Sequence, residues 1–310
     1  MPTSHFPLLA LGSTRFAPSP TGYLHLGHVV NAIWTWGIAR LSGSRVLLRI
    51  EDHDRTRCRP EYEAALLEDL AWLGFEPDVE SGMGARSGRR LVRQSDWSGL
   101  YEAQLRDLAQ RKLAYVCDCS RKDISRAVGS DPFNEETPYP GTCRDRGLTP
   151  GPGRGWRVIM EPGDERFADL RLGPQVQRPA QQCGDVLVQD RLGQWTYQFA
   201  VTVDDMEQGI SLVIRGEDLL SSTGRQIRLA RLMGRPSPPK FLHHPLVRNA
   251  DGSKLSKSAG DTGVRELRAA GRSAPDVIGL AARAAGLATR ATPVTASDVA
   301  ALVRQHWRGA

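Results

Sequence analysis

The first segment that could do chemistry lies close to the start of the chain and reads Arg15-Phe-Ala-Pro-Ser-Pro-Thr-Gly-Tyr-Leu-His-Leu-Gly-His28. It lies where a predicted strand passes through a Pro/Gly turn into a predicted helix, and the free N–H groups of a helix N-terminus suit a phosphate chain. His25 and His28 would share one face of the first helical turn, and Gly27 would let a flat base lie against the backbone. Taken alone, such a pattern is more often a Pro-rich turn followed by two surface histidines.

A second chemical segment lies far along the chain and reads Asn249-Ala-Asp-Gly-Ser-Lys-Leu-Ser-Lys-Ser258. Lys254 and Lys257 are flanked by small hydroxyl residues after a Gly turn. This predicts a cationic loop that could close on a polyphosphate and neutralise the charge that develops during phosphoryl chemistry. On its own, a solvated basic loop is the simpler interpretation.

Three of the five cysteines form a third candidate, because Cys117, Cys119 and Cys143 fall within 27 residues. Such a cluster in a chain without an evident export signal favours a metal site over disulfides. Thiolates at i and i+2 can share a tetrahedral ion, and Cys143 can close the site from a second loop. The spacing leaves water or Asp118 open as a fourth ligand, and plain reduced thiols are the alternative to a metal.

Composition sets the limits within which these segments act. The chain has 310 residues, 40% hydrophobic and 25% charged, which indicates a globular protein of about two domains and excludes disorder of the whole chain. Apolar runs such as Val46–Leu48 are far shorter than the ~20 residues of a membrane span, and the first twenty residues lack a secretory pattern. We therefore expect a cytoplasmic protein without membrane contact. Its net charge of +6 permits a polyanionic partner.

The elements that must position these segments alternate between strand and helix at the start of the chain. Residues 13–17 and 45–50 are typical of short buried strands, 27–41 of a helix, and a further helix is predicted after Pro60. This alternation predicts an α/β fold with a parallel sheet and right-handed crossovers. Residues 95–113 predict another amphipathic helix.

The middle of the chain is irregular from 114 to about 185, and its Pro/Gly-rich turns indicate an inserted subdomain. Strands are predicted again over 185–190 and 195–201. A helix is predicted after Ser221 or Ser222, and the Ala-rich end of the chain is predicted to be helical.

Together, the first two segments resemble the paired signatures of class I aminoacyl-tRNA synthetases. The strings Arg15–His28, Arg49-Ile-Glu-Asp-His-Asp-Arg55 and His244-Pro-Leu-Val-Arg248 resemble the glutamyl/glutaminyl branch of that family. The resemblance covers most of residues 13 to 260. It implies a Rossmann-type catalytic domain that holds ATP, and Mg²⁺ is the metal expected to accompany the nucleotide. It also assigns His25, Gly27, His28, Lys254 and Lys257 to ATP binding, with His25, His28 and Lys257 as the catalytic residues.

The same resemblance implies a pocket for L-glutamate formed by Arg15, Ala17, Ser19, Glu51, Tyr197 and Arg215. Charge agrees with this assignment, because glutamate carries one ammonium and two carboxylates. Glu51 can pair with the ammonium, and each arginine can bind a carboxylate with a bidentate fork. The implied reaction is in-line attack of the carboxylate on the α-phosphorus of ATP, which needs no protein nucleophile.

Within that branch, length favours a short type of enzyme. Only 52 residues follow Ser258, too few for the helical domain that reads the anticodon. The short type activates glutamate without tRNA and attaches it to queuosine in the anticodon loop of tRNA(Asp). Its C-x-C…Y-x₃-C zinc pattern matches Cys117, Cys119, Tyr139 and Cys143, so the resemblance implies one structural zinc ion with the tyrosine as fourth ligand.

Two alternatives remain open at this point. One is a truncated glutamyl-tRNA synthetase that charges the 3′ end of tRNA(Glu), and the other is a non-catalytic, synthetase-like binding module. We expect a monomer. The predicted organisation is a first Rossmann half over 1–113, a zinc-bearing insertion over 114–185, a second Rossmann half over 186–245, and the lysine loop with a helical C-terminal region over 246–310.

Overall fold

The computed structural model describes residues 12–78, 91–129, 137–247 and 263–306. The strands are β1 (Ser13–Phe16), β2 (Arg45–Ile50), β3 (Leu91–Arg93), β4 (Ala114–Cys117), β5 (Gly155–Val158), β6 (Glu165–Asp169), β7 (Gly173–Gln177), β8 (Val186–Gln189), β9 (Leu212–Gly216) and β10 (Lys240–His244). The helices are α1 (Leu26–Ser42), α2 (Pro60–Leu73), α3 (Ser98–Gln110), α4 (Arg121–Val128), α5 (Pro179–Gln182), α6 (Tyr197–Glu207), α7 (Thr223–Leu232), α8 (Val264–Ala269), α9 (Ala274–Ala284) and α10 (Val299–His306).

The main sheet has the strand order of a Rossmann fold. β1, β2 and β3 are parallel to one another, as are β9, β10 and β6, while β7 is antiparallel at the edge. The two groups adjoin at β1 and β9, where the Ser211 amide donates to the Ser13 carbonyl at 3.0 Å. The order is therefore β3-β2-β1-β9-β10-β6. From β1 the chain order of the strands proceeds towards one edge of the sheet through β2 and β3, and from β9 it proceeds towards the other edge through β10. Sheets of this kind bind ligands at the point where the two directions meet. The predicted α/β class is confirmed.

Helix α1 links this sheet to the C-terminal helices. Its side chains are buried on most sides, including Ile33 and Ile38, and it packs against both α9 and α10. Gly37 permits the contact with α10, because a Cβ there would lie 2.7 Å from Cγ2 of Val303. The helical end of the chain, predicted from its composition, thus supports the helix whose N-terminus carries His25 and His28.

A smaller antiparallel sheet is formed by β4, β5 and β8. The chain passes between the two sheets more than once. β6 and β7 lie within residues 114–185, but β6 pairs with β10 of the main sheet and β7 pairs with β6. β8 follows that range and belongs to the small sheet. The four domain ranges stay predictions. Among the described residues, no helix has the length and apolar content of a membrane-spanning segment.

One predicted strand is wrong. Residues 195–201 are rich in aromatic and β-branched residues, which favour a strand, but α6 begins at Tyr197. Phe199, Ala200 and Val203 are buried at helical spacing and pack with α3 and α7. Tertiary packing therefore overrode the local propensity. The other strands and helices named from the sequence are present, with ends shifted by a few residues.

Candidate active site

The two histidines form the N-terminal cap of α1. The Gly27 amide donates to Nδ1 of His25 at 3.0 Å, and the His25 amide donates to Nδ1 of His28 at 3.2 Å. Because both Nδ1 atoms accept, the neutral rings carry their protons on Nε2, where they are donors. A Cβ at position 27 would lie 2.8 Å from Cε1 of His25. Glycine is therefore required for the position of the His25 ring itself.

A cavity of about 350 Å³ opens at this helix N-terminus. On one side it is lined by His25, Gly27 and His28, the three residues predicted to contact ATP in this part of the chain. On the other side it is lined by Gly216, Asp218, Leu219, His244, Leu246 and Val247. Lys254 and Lys257, the remaining predicted ATP residues, lie outside the described residues.

A second cavity, of about 280 Å³, brings together all six residues predicted to bind glutamate: Arg15, Ala17, Ser19, Glu51, Tyr197 and Arg215. Asn31, Ile214 and Leu219 complete its lining. Ala17 and Ser19 line both cavities, so the two adjoin at the end of β1. Molecules bound in the two cavities would therefore lie side by side.

A buried group of charges, here called the ion network, adjoins the second cavity and consists of Arg15, Arg49, Glu51, Asp204 and Asp205. Arg15 and Glu51 also line the cavity. The fully buried Arg49 donates to Oδ1 of Asp205 at 2.7 Å and to Oε1 of Glu51 at 3.1 Å. Arg15 donates to the same Asp205 oxygen at 3.0 Å. Burial alone would lower the pKa of Arg49, but the surrounding carboxylates raise it above its ordinary value. The network holds both Arg15 and Glu51 in place.

The two aspartates of this network differ in their pKa. Burial raises the pKa of Asp204 to about 7, although Arg49 and a 2.7 Å hydrogen bond from the Tyr101 hydroxyl oppose the shift. Burial also acts to raise the pKa of Asp205, but Arg15 and Arg49 outweigh it and lower that pKa. One of the two carboxyls therefore titrates near neutral pH while its neighbour stays ionised.

Arg215 is held by neutral acceptors among the described residues. Its Nε donates to Nε2 of His243 at 3.0 Å, Nη1 to Oε1 of Gln226 at 2.7 Å, and Nη2 to Oγ1 of Thr223 at 2.9 Å. Burial lowers the pKa of Arg215. No ion pair within the described ranges involves this arginine, so its positive charge is available to an anionic group in the cavity.

The cysteines converge with a tyrosine at the end of β4, and Cys117, Cys119, Tyr139 and Cys143 are here called the Cys₃Tyr cluster. The three sulfurs lie within 4.8 Å of one another, with Cys119 and Cys143 at 3.4 Å. The Tyr139 hydroxyl oxygen lies 3.4 Å from the sulfur of Cys117 and 3.7 Å from that of Cys119. Tetrahedral sulfurs at Zn–S distances of about 2.3 Å would be about 3.8 Å apart. The cluster therefore has the donors and the size to hold a metal ion.

Two oxygen donors, the Tyr139 hydroxyl and a carboxylate oxygen of Asp118, lie close to the sulfurs of the cluster. Oδ1 of Asp118 lies 3.3 Å from the sulfur of Cys143 and also accepts from Arg146 at 2.7 Å. The Tyr139 oxygen accepts from the amide of Cys143 at 2.9 Å. The Arg157 guanidinium stacks over the Tyr139 ring, 3.7 Å from its centroid, and its Nε donates to Cys117. These cationic and N–H groups compensate the negative charge of thiolate ligands.

A family model described as "tRNA synthetases class I (E and Q), catalytic domain" matches residues 13–146 and 156–279. The chain belongs to this family. A Rhodobacter capsulatus protein named glutamyl-Q tRNA(Asp) synthetase is 40% identical over 284 residues, which are 85% of this chain and 97% of the relative. A protein of the same name from Symbiobacterium thermophilum is 39% identical over 297 residues, 92% of this chain and 90% of the relative.

The fold also matches a solved glutamate tRNA ligase from Elizabethkingia meningosepticum in complex with its amino acid. The TM-score is 0.74 at 26% identity, and the match covers 94% of this chain. It covers 64% of the solved chain, so the present chain spans less than two thirds of that ligase. These likenesses confirm the resemblance to the glutamyl branch, and the family membership makes the chain an ATP-dependent ligase.

Sequence reasoning missed several residues that shape the site of this class I synthetase. Arg49 lay inside a recognised string but received no role, and Asp204, Asp205 and His243 received none either. Asp204 could have been found from its spacing. It follows Tyr197 by seven residues, or two turns of α6, and so lies on the same face of that helix. Arg49 gave no comparable signal, because a charged residue in a buried strand is recognised only once its partners are known.

Proposed function

We propose that this synthetase activates L-glutamate with ATP in the absence of tRNA and then transfers it to queuosine in the anticodon loop of tRNA(Asp). The observation that carries the proposal is the pair of adjoining cavities. One contains two guanidinium groups and a carboxylate, and the other lies at a helix N-terminus suited to phosphates. The names of the two relatives support the choice of acceptor.

Glutamate would bind in the smaller cavity with its ammonium on Glu51 and its two carboxylates on Arg15 and Arg215. Tyr197 would close the cavity from α6. Ala17 and Ser19 line both cavities and would lie beside the reacting carboxylate. Because the ion network already orients Arg15 and Glu51, little reorganisation is needed when the substrate binds.

ATP would bind in the larger cavity against Gly27, with the Nε2–H groups of His25 and His28 as donors to its phosphates. Lys254 and Lys257 would bind the phosphates from the lysine loop, and Mg²⁺ would add positive charge there. A carboxylate oxygen of glutamate attacks the α-phosphorus while the bond to pyrophosphate breaks. Catalysis is then positioning together with electrostatic stabilisation by His25, His28 and Lys257.

Zinc is the metal that we assign to the Cys₃Tyr cluster, because thiolates in a closed four-donor site favour this ion. The cluster lies at the small antiparallel sheet, and none of its residues lines either cavity. Its role would be structural, holding β4 to the loop that carries Tyr139 and Cys143. A monomer and a cytoplasmic location stay predictions.

The deciding experiment is transfer of labelled glutamate to tRNA(Asp) with and without queuosine, beside unmodified tRNA(Glu). We expect label only on queuosine-containing tRNA(Asp). Label on tRNA(Glu) instead would make the chain a truncated glutamyl-tRNA synthetase. No label on any of the three, with ATP, Mg²⁺ and zinc present, would favour the non-catalytic module.

Activation is tested separately by glutamate-dependent exchange of pyrophosphate into ATP without any tRNA. We expect exchange with L-glutamate. A requirement for added tRNA would contradict the first half of the proposal and leave the transfer half to be judged on its own assay.

A further inference from the structure

We infer that Asp169 and His243 are positioning residues that hold the Arg215 guanidinium in the orientation needed to bind a carboxylate of glutamate. The inference rests on the proposed function, since it concerns the pocket in which glutamate would bind. Neither residue lines that pocket, and neither received a role from the sequence. Their effect on the substrate would be exerted entirely through Arg215.

The three residues lie on three neighbouring strands of the main sheet. In the register of β9 and β10, Arg215 pairs with His243, and Phe241 of β10 pairs with Asp169 of β6. All three side chains are buried. The sheet therefore places one acidic, one imidazole and one guanidinium group in a row that begins on β6 and ends at the pocket.

Asp169 begins this row as a fully engaged acceptor. Its Oδ1 accepts from the amides of Arg171 at 3.0 Å and Leu172 at 2.9 Å. Its Oδ2 accepts from the His243 amide at 3.1 Å and lies 2.7 Å from Nδ1 of the His243 ring. Because every other partner donates, the carboxylate is the acceptor from Nδ1 as well, and it fixes the tautomer of His243 with its proton on Nδ1.

This tautomer gives His243 its function. With the proton on Nδ1, Nε2 has a lone pair that accepts from Nε of Arg215 at 3.0 Å. The Thr223 hydroxyl lies 3.2 Å from the same Nε2 and can donate to it while accepting from Nη2 of Arg215. A doubly protonated ring would instead direct an N–H at the guanidinium. Burial lowers the pKa of His243, which agrees with the neutral form.

In the described part of the chain, the acceptors that hold Arg215 include His243, Thr223 and Gln226, all of them neutral. Arg15, on the opposite part of the pocket, is held by the carboxylate of Asp205 instead. A neutral holder fixes direction without cancelling charge, so Arg215 keeps its full attraction for a substrate carboxylate. Loss of the holder should therefore weaken glutamate binding and reduce the preference for glutamate over glutamine, which has only one carboxylate.

The test is tRNA-independent pyrophosphate exchange by the full chain and its variants, with glutamate, glutamine and ATP varied in turn. For His243→Leu we expect the KM for glutamate to rise at least tenfold and the ratio of glutamate to glutamine exchange to fall, with the KM for ATP changed less than twofold. His243→Gln can accept from Arg215 and donate to Asp169, so it should restore most of the loss. The matched control is His306→Leu, on the exposed end of α10.

Thr223→Val provides a second variant of nearly equal volume if His243→Leu does not fold. We expect a rise of about threefold or more in the KM for glutamate, again without a change for ATP. An unchanged KM for glutamate in a folded variant, or equal changes for both substrates with the glutamate preference intact, overturns the inference. Absence of glutamate exchange by the unaltered protein overturns the proposed function and this inference with it.

Discussion

The ion network and the Cys₃Tyr cluster bury polar groups in opposite ways. In the network, carboxylates of the chain itself neutralise the buried arginines, at distances such as 2.7 Å between Arg49 and Asp205. In the cluster, three sulfurs and a phenol oxygen face one another, and the four donors supply no positive charge of their own. The first region is complete without a ligand, whereas the second has the composition of a site completed by a cation.

Because of this difference, we expect the network to contribute to substrate binding and the cluster to contribute to local folding. Arg15 and Glu51 of the pocket are already paired within the network, so they can be oriented before the substrate arrives and binding energy is not spent on arranging them. A cluster that depends on an external ion couples local folding to metal supply instead. We therefore expect damage to the network to affect glutamate chemistry or global stability, and damage to the cluster to leave the chemistry largely intact.

The largest expected effect comes from Arg215, the pocket arginine that no carboxylate of the described chain neutralises. Arg215→Ala should lower kcat/KM for glutamate in pyrophosphate exchange by about 10³-fold, because a buried substrate carboxylate loses its charged partner. Arg215→Lys keeps the charge but not the fork, and should lose roughly 10²-fold. Arg178→Ala, at the surface, is the control. A loss below tenfold for Arg215→Ala would show that this charge is not used for glutamate.

The next largest effect is the expected loss of stability when Arg49 is removed from the ion network. Arg49→Met leaves Asp205 and Glu51 with a missing partner in a buried site, and should lower the free energy of unfolding by ~3–5 kcal/mol. Arg57→Met breaks an exposed pair with Asp54 and should cost less than ~1 kcal/mol. Denaturant unfolding of both variants measures the difference. Equal costs would mean that burial of the network has no energetic consequence, and the contrast with the cluster would fail.

The stability contributed by the Cys₃Tyr cluster should depend on bound metal. Cys143→Ser, or a chelator, should remove one zinc ion per chain and lower Tm by roughly 5 °C. At a temperature where the protein stays folded, glutamate exchange should retain more than half its rate. Cys183→Ser, which removes a thiol that lies outside the cluster, should keep the zinc content. Parallel loss of zinc and exchange would instead tie the cluster to the active site.

The smallest expected effect tests the uneven titration within the network. Folding raises the pKa of Asp204 from an ordinary 3.8 to about 7, so the folded state binds more protons between these values and this group's contribution to stability falls as pH rises through them. Between pH 5 and 7 the fall amounts to about 2 kcal/mol. Asp204→Asn should lack this pH-dependent fall. The free energy of unfolding of the variant should therefore rise relative to that of the parent as pH rises. A stability difference that is constant across this range would contradict the raised pKa.

Predictability from the sequence differed between the two regions for a physical reason. The three cysteines lie close together along the chain, so their spacing predicted a metal site directly, whereas Tyr139 was assigned only through the family resemblance. The six glutamate-pocket residues come from β1 and the turn after it, the residue after β2, the start of α6, and β9. No local pattern links them, so they were found only through a family resemblance. Arg49 and His243 were missed because their roles consist of contacts with Asp205 and Arg215, far away in the chain.

The amino-acid sequence by itself determined the alternation of strand and helix, the turn into α1, and the metal-ligand spacing, because each depends on residues a few positions apart. A strand was wrongly predicted over residues 195–201, because their composition favours a strand, whereas their buried positions follow a helical pattern. Only the tertiary structure decided which charges neutralise one another, since carboxylates and guanidinium groups act through distances across the sheet. The pairing of Arg49 with Asp205 across 156 residues is the clearest case, and it decides how the pocket is held.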